Sequence, residues 1–416
     1  MANQMQQKIR LAVSAATLII WGFECAGTQS AKPVVSQVKA RRIHEELLTL
    51  DSHCDTPLKL RRVNFDLSQR HQPDYFGGKV DFPRMSEGGL DAIFFAAYVA
   101  QEARTPEGFE QARQTVAVTL DSILSAVRRN SALAEMAYSP RDIYRITRRG
   151  KRAILLGIEN GYPLGSDLSL VEKYYRQGFR YITLCHVKNN DICDSSNDTT
   201  EHGGLSTFGQ TVVREMNRLG MLIDVSHISD SAFFQVLRLT KAPVIASHSC
   251  VRALCNNPRN FSDAMLQALA RNGGVIQINI FTEYVKTPQP NTARDSAYTE
   301  WRRQYHDLDN LSPEELRKAS AERDELDRRY PRILATVKDM VDHIDHVVQT
   351  IGIDHVGIGS DFDGGGALQD CYDVSQMGNI TEELLRRGYS PREIAKIWSG
   401  NFLRVWKTAN QVASLK

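Results

Sequence analysis

The 416-residue chain is predicted to be an α/β protein folded as a closed (β/α)8, or TIM, barrel, and three observations carry that expectation. Eight short stretches run almost continuously apolar instead of alternating, which marks strands buried on both faces and therefore parallel strands covered by helices. Segments with apolar residues at helical spacing lie between them, as in Val116, Leu120, Ile123, Leu124 and Val127. The length also suits one barrel, a fold that uses roughly 250 to more than 400 residues as a unit. An open doubly wound sheet is the alternative. It normally carries a glycine-rich phosphate turn after its first strand, where this chain has His53-Cys54-Asp55.

The order of elements begins with a leader. Lys8 and Arg10 precede the apolar segment from Leu11 to Phe23, and Ala26-Gly27-Thr28 follows, so residues 1–28 read as an export signal and 29–416 as one barrel domain. That segment is too short to span a bilayer comfortably, and no later stretch is long and apolar enough to do so. Cys25 suggests a lipid anchor, although Glu24 before it fits such a signal poorly. The expected location is the periplasm, or the cell envelope through a lipid. Six cysteines remain without Cys25, an even number compatible with disulfides, and Cys250 with Cys255 is one candidate pair.

A helix from Ala40 to Leu48 leads into the first strand, which ends at His53-Cys54-Asp55. Gly88-Gly89 introduces a second, Leu90–Val99, and a long helix is predicted from Pro106 to Arg129. The third strand is Ala153–Glu159, and after a helix near Ser169–Gln177 the fourth is Tyr181–His186. The fifth is Met221–His227, the sixth Pro243–His248, the seventh Gly274–Ile280 and the eighth His355–Asp361. A charged insertion, 281–332, separates the last two; Ser312-Pro313-Glu314-Glu315 is a capping box that starts a helix within it. In the helix Thr336–Thr350, His343 and His346 share a face, but they precede the last strand and are read as structural or surface residues. A helical tail, Ile380–Trp406, is expected to lie across the outside of the barrel.

Lys plus Arg number 51 against 49 acidic residues, with no block of one sign, which argues against nucleic acid as a partner. The chemistry lies instead at the strand ends. Six of the eight close on groups that bind metal or move protons: His53 with Asp55, Glu159, His186, His227, His248, and Asp361 followed by Asp363. Singly each has a plain explanation: His186 as a capping group, His248 bonded to a neighbouring serine, Asp361 as an N-cap. Together they converge on one rim of a barrel. Histidines and carboxylates without clustered thiolates suit zinc or a similar divalent ion. They are too many for one catalytic ion, whereas Glu159 can bridge two, with His53 and Asp55 completing one and His227 with His248 the other. Two such ions sharing a water would polarise a carbonyl and activate the nucleophile, so hydrolysis is expected.

The segments Asp51-Ser52-His53-Cys54-Asp55-Thr56, Gly157-Ile158-Glu159-Asn160, Leu184-Cys185-His186, Asp224-Val225-Ser226-His227, Ala246-Ser247-His248-Ser249, Asn256-Asn257-Pro258-Arg259-Asn260 and Gly359-Ser360-Asp361-Phe362-Asp363-Gly364 resemble, in order, the motifs of the membrane (renal) dipeptidase family. The resemblance implies a binuclear zinc hydrolase that cleaves dipeptides, often tolerating a D-residue at the C-terminal position, through a hydroxide bridging two Zn2+ ions. It implies His53 and Asp55 on one zinc, His227 and His248 on the other, and Glu159 between them. His186 would contact substrate and steady the oxyanion, Arg259 would grip the free carboxylate, and Asp361 would shuttle the proton. It leaves room for a homodimer. Three departures are Asn160, where many relatives have glycine, Ser399-Gly400-Asn401 in place of Gly-Gly-Asn, and Phe281, where some place a substrate-contacting tyrosine. A metal-dependent amidase or lactonase acting on another substrate is a second reading, and a non-catalytic barrel that binds a ligand is a third.

Overall fold

In the computed structural model, which describes residues 36–61, 65–72, 78–306 and 311–414, one sheet of parallel strands organises the chain. The leader with Cys25 lies outside the described residues. The strands are β1 (Leu50–Cys54), β2 (Ala92–Tyr98), β3 (Ala134–Met136), β4 (Arg152–Glu159), β5 (Phe179–Thr183), β6 (Leu222–Asp224), β7 (Ile245–Ser249), β8 (Val275–Ile278) and β9 (Val356–Ile358). All but β3 follow one another round the barrel in the order β1-β2-β4-β5-β6-β7-β8-β9. The ring is drawn nearly shut where the chain after β9 returns beside β1: Asp361 N donates to His53 O at 2.9 Å and Asp55 N to Phe362 O at 2.8 Å.

These are the eight predicted strands, with one addition. The β5 ladder begins only at Leu156 of β4, so the first residues of β4 have a free edge, and β3 pairs there through Ala134↔Arg152 to Met136↔Ile154. Helix Pro106–Arg129 has the predicted bounds, with the Thr105 side chain accepting from Gly108 N and proline in the first turn.

Alternation along the strands sorts side chains into two cores. Ile93, Phe95, Ile154, Leu156 and Ile182 pack outward under the helices. Leu50, Phe94, Leu155, Tyr181, Leu222, Ile245 and Val275 point inward, and Phe402, Leu403, Val405 and Trp406 pack among them. The last helix, Asn401–Ser414, therefore joins the inner core, where Phe402 and Trp406 meet Phe94 at 5.2 and 6.0 Å between ring centres. This corrects the expectation that the tail lies across the outside. Its helices Gly378–Arg386 and Pro391–Ala395 do pack among the outer helices, but the aromatic residues beyond them fill the barrel interior away from the strands' carboxyl ends. Asn401, the last residue of the Ser399-Gly400-Asn401 motif, ties this helix to β9 by donating to Ile353 O and Val356 O at 2.7 and 2.8 Å.

Within the insertion, helices Thr292–Gln304 and Pro313–Arg329 pack around Trp301, Tyr305 and Ala319, and the predicted capping box at Ser312 and Glu315 is formed on both sides. His343 is a structural residue: its Nδ1 accepts from Val251 N at 3.0 Å and its Nε2 donates to Val285 O at 2.8 Å. His346 pairs with Asp263 at the surface. Cys54, Cys185, Cys193, Cys250, Cys255 and Cys371 are all free and buried, so the Cys250–Cys255 disulfide is not formed. Cys250 Sγ turns to Asn279 O, whereas Cys255 Sγ faces Glu283 O.

Candidate metal centre

Glu159 ends β4 on the inner face, and its two carboxylate oxygens divide the site between them. Oε2 lies 3.6 Å from His53 Nε2, which is itself 3.8 Å from Asp55 Oδ2. Oε1 lies 3.2 Å from His227 Nε2, 3.4 Å from His248 Nε2 and 3.6 Å from His186 Nε2. His227 Nε2 and His248 Nε2 stand 2.8 Å apart, each ring turning the same nitrogen toward the other and toward Glu159. Asp361 joins the His53–Asp55 side, the ligating atoms of the three lying within 4.8 Å of one another. All eight predicted site residues are thus on one rim, with Arg259 immediately behind His248.

Strand alternation alone would not place them there. Leu50 pairs with Ala92 on the inner face, but the register shifts between Asp51 and Cys54, so that Cys54 pairs with Phe95 on the outer face. The irregularity turns His53 inward. A second shift, between Ala246 and Ser249, does the same for His248. Each is stitched by a buried carboxylate. Asp51 Oδ1 accepts from its own i+2 amide, His53 N, at 3.2 Å and from Ser360 N across the seam at 2.8 Å. Asp224 Oδ1 repeats the arrangement with Ser226 N at 3.1 Å and Ser247 N at 2.8 Å. Where the β6–β7 ladder has only the pair Asp224↔Ile245, this carboxylate stands in for a backbone carbonyl.

The imidazoles are oriented from behind. Tyr181 Oη lies 2.9 Å from His53 Nδ1. The tyrosine ring needs the space left by Gly157, where a Cβ would come within 2.0 Å of it. His248 Nδ1 lies 2.8 Å from Ser247 Oγ, which donates its single proton to Asp224 Oδ2 at 2.6 Å. The serine oxygen must therefore accept from Nδ1–H, which leaves the Nε2 lone pair free to face the site. Asn279 Nδ2 donates to Asp361 Oδ2 at 3.3 Å. None of Asp51, Tyr181, Asp224, Ser247 or Asn279 was singled out from sequence. The available signal was an acid interrupting an apolar strand two or three residues before a histidine.

Among the described residues, four other than glycine have positive φ: Asn160 at 82°, His227 at 71°, Asp361 at 58° and Asp363 at 67°. Asn and Asp tolerate this region best after glycine, so Asn160 takes a backbone conformation that glycine also adopts readily. Its side chain stabilises the turn, donating to Val99 O at 3.0 Å and accepting from Tyr162 N at 3.1 Å. Strain at such positions collects at functional sites.

Burial opposes charge on Glu159, but the His53 and His186 rings beside it outweigh this and hold the carboxyl well below its usual range. Burial and the neighbouring Asp55 push Asp361 well above it. Burial and Arg259 keep His227 well below the ordinary imidazole value, and burial with His53 does so for His248. Both are neutral and ready to ligate. His53 Nε2 and Asp55 Oδ1 are buried without a hydrogen-bond partner, which is the condition a cation would relieve. Nitrogen and oxygen donors of this kind fit zinc. Access is from the His186 side, where that ring is 18% exposed against 0–5% for His53, Asp55, Glu159, His227 and His248. Arg259 is buried, its Nη1 and Nη2 donating to Ser249 Oγ and His248 O at 2.9 Å each while Nε has no partner.

A model of the family described as membrane dipeptidase (peptidase family M19) matches residues 37–416. Dipeptidase tcpJ of Claviceps purpurea is 34% identical over 376 residues, covering 88% of this chain and 77% of its own. Dipeptidase 3 of Rattus norvegicus is 31% identical, over 89% and 68%. The crystal structure of the probable dipeptidase PvdM from Pseudomonas aeruginosa superposes with a TM-score of 0.78 at 32% identity, over 91% of this chain and 99% of that one. The barrel, the convergent histidines and carboxylates and this match along nearly the whole chain agree, and the chain belongs to the membrane dipeptidase family of metallopeptidases, peptidase family M19.

Proposed function

We propose that the chain hydrolyses the peptide bond of dipeptides, including those with a C-terminal D-residue, with two zinc ions, one held by His53 and Asp55 and the other by His227 and His248. The division of Glu159 supports this reading above all: one oxygen faces the histidine–aspartate pair and the other the two histidines, as a bridging carboxylate requires. Zinc bound there supplies a Lewis acid for the scissile carbonyl and brings the pKa of an attacking water toward neutrality.

The remaining residues act on the dipeptide itself. Arg259 presents a guanidinium to the free carboxylate and anchors that end. His186, the most exposed of the rim histidines, meets the carbonyl oxygen and stabilises the charge that develops on it. Asp361, whose carboxyl burial and Asp55 raise, takes the proton lost by the nucleophile and returns it to the leaving amine. The export reading rests on the basic and apolar leader, Lys8 to Phe23.

The test is metal analysis of protein purified without added zinc, together with a panel of L-Ala-L-Ala, L-Ala-D-Ala, N-acetyl-alanine and a β-lactam. About two zinc per chain and cleavage confined to the dipeptides are expected. Full activity retained in both Glu159→Ala and His248→Ala would refute the site, and cleavage of the acylated amino acid alone would favour the amidase reading.

A further inference from the structure

Beside the metal centre lies a cavity of about 1280 Å3, walled on one side by the 281–332 insertion and on the other by the rim segment around Asp363 to Gly365 and Tyr372. Pockets for drug-sized ligands measure roughly 300–1,000 Å3, so this space exceeds what a plain dipeptide needs. It also abuts the candidate site. A side chain at Gly364 would stand 2.1 Å from Asp55 Oδ2 and 2.2 Å from Asp361 Oδ1, so this residue's backbone packs directly against both carboxylates and also lines the cavity. Phe281, another lining residue, meets Tyr284 edge-on at 4.7 Å, and that ring faces the Arg259 guanidinium at 5.6 Å.

The walls have a definite chemistry. Tyr298 and Trp301 of helix Thr292–Gln304 and Tyr305 just after it line the space with little of each ring open, Arg323 lying 4.1 Å over the Tyr298 ring, and the more exposed Tyr372 lies across from the insertion on the rim segment. Seven lysine or arginine side chains line the space against five carboxylates. Four of those carboxylates are already engaged: Asp295 by Arg294, Asp327 by Arg323 and Tyr298, Asp363 by Thr56 Oγ1 at 2.7 Å and Lys79 N at 3.0 Å, and Asp324. Glu283 is an exposed acid at the rim. Lys79 Nζ sits 4.5 Å over the Tyr372 ring and donates to Gly366 O at 2.6 Å. Arg302 and Arg332 are exposed, and neither is in an ion pair among the described residues. Guanidinium groups without a carboxylate partner, one of them, Arg332, resting 5.3 Å over the Tyr298 ring, suit a flat anion that stacks on their planes.

We propose that this cavity is a subsite for a large, planar, anionic appendage on the dipeptide substrate, a carboxylated aromatic ring system being the chemistry it fits. The assignment rests on the dipeptidase reading and narrows its substrate class. Three probes test it on the full chain loaded with zinc: Ala-Ala, a dipeptide of 4′-carboxybiphenylalanine and alanine, and the same dipeptide with the carboxylate replaced by a carboxamide. The carboxylate probe should have the highest kcat/KM, and its advantage over the carboxamide should shrink with added salt. In Arg302→Gln/Arg332→Gln, two exposed positions, that ratio should fall about tenfold. Equal kcat/KM for the three probes, or a ratio unchanged in the double variant, overturns the proposal. Calorimetric binding of free 4′-carboxybiphenylalanine reads the cavity without turnover. A chain that cleaves none of the three probes yet binds this amino acid, more weakly in the double variant, defeats the dipeptidase reading and leaves the cavity assignment standing. Absence of binding defeats the cavity assignment whichever way the hydrolysis falls.

Discussion

Ser247 offers a sharp test of how the metal centre is held, because it touches no substrate and supplies no ligand. Its hydroxyl receives the Nδ1 proton of His248 at 2.8 Å and passes its own to Asp224 at 2.6 Å, all three groups being fully or almost fully buried. Ser247→Ala removes the acceptor and leaves a buried N–H unpaired, a penalty of about 1–3 kcal/mol. Asp224 keeps its bonds from Thr183 Oγ1 at 2.5 Å and from the Ser226 and Ser247 amides, so the β6–β7 seam persists and the barrel should fold. The loss should therefore fall on metal affinity. Removing a partner that orients a ligand typically weakens binding about 10–100-fold, which is roughly 1.4–2.8 kcal/mol. Competition with a calibrated chelator measures the zinc dissociation constants, and activity at saturating zinc measures what remains of the chemistry. A weaker constant for one of the two ions, with activity largely recovered at saturation, is expected. A constant within about twofold of the parent would show that the serine does not hold His248, and the relay argument would fall.

Other perturbations separate the layers of the molecule. Gly157→Ala drives a Cβ to 2.0 Å from the Tyr181 ring, so stability should drop by about 1–3 kcal/mol and zinc affinity with it, through His53; wild-type affinity in a folded variant would contradict this. Trp406→Ala empties the inner core where it packs on Phe94 and should cost about 3–5 kcal/mol in denaturant unfolding while zinc affinity in the folded protein stays unchanged. Arg259→Ala should raise KM for dipeptides about tenfold or more, and Arg259→Lys should not restore it because a lysine lacks the planar fork; an unchanged KM excludes the carboxylate clamp. For pH the sign follows from direction. His227 and His248 lie well below 6.5, so protons compete only at lower pH for the zinc this pair holds, whereas His53, raised beside Tyr181 and Glu159, and Asp55, raised by burial to about 6, give up theirs first. Dialysis at about pH 6 should therefore leave one ion per chain, and loss of both ions at the ordinary imidazole pKa would count against it.

The barrel and its rim were legible along the chain because both signals are local. An apolar run such as Ala153–Leu156 declares a buried strand wherever it occurs, and a histidine or carboxylate at its end stands at the strand's carboxyl edge. Asn160 was visible as an oddity, and its φ of 82° supplies the reason. What stayed hidden depends on neighbours far away in sequence. The register shifts that turn His53 and His248 inward exist only relative to the adjacent strands, and the carboxylates of Asp51 and Asp224 matter because amides of other strands come to meet them. The tail was misplaced for the same cause: a stretch like Phe402–Trp406 has the same helical period whether it lies on a barrel or fills its interior. Periodicity records that a face is buried, and the partner that buries it is settled by packing across the whole chain.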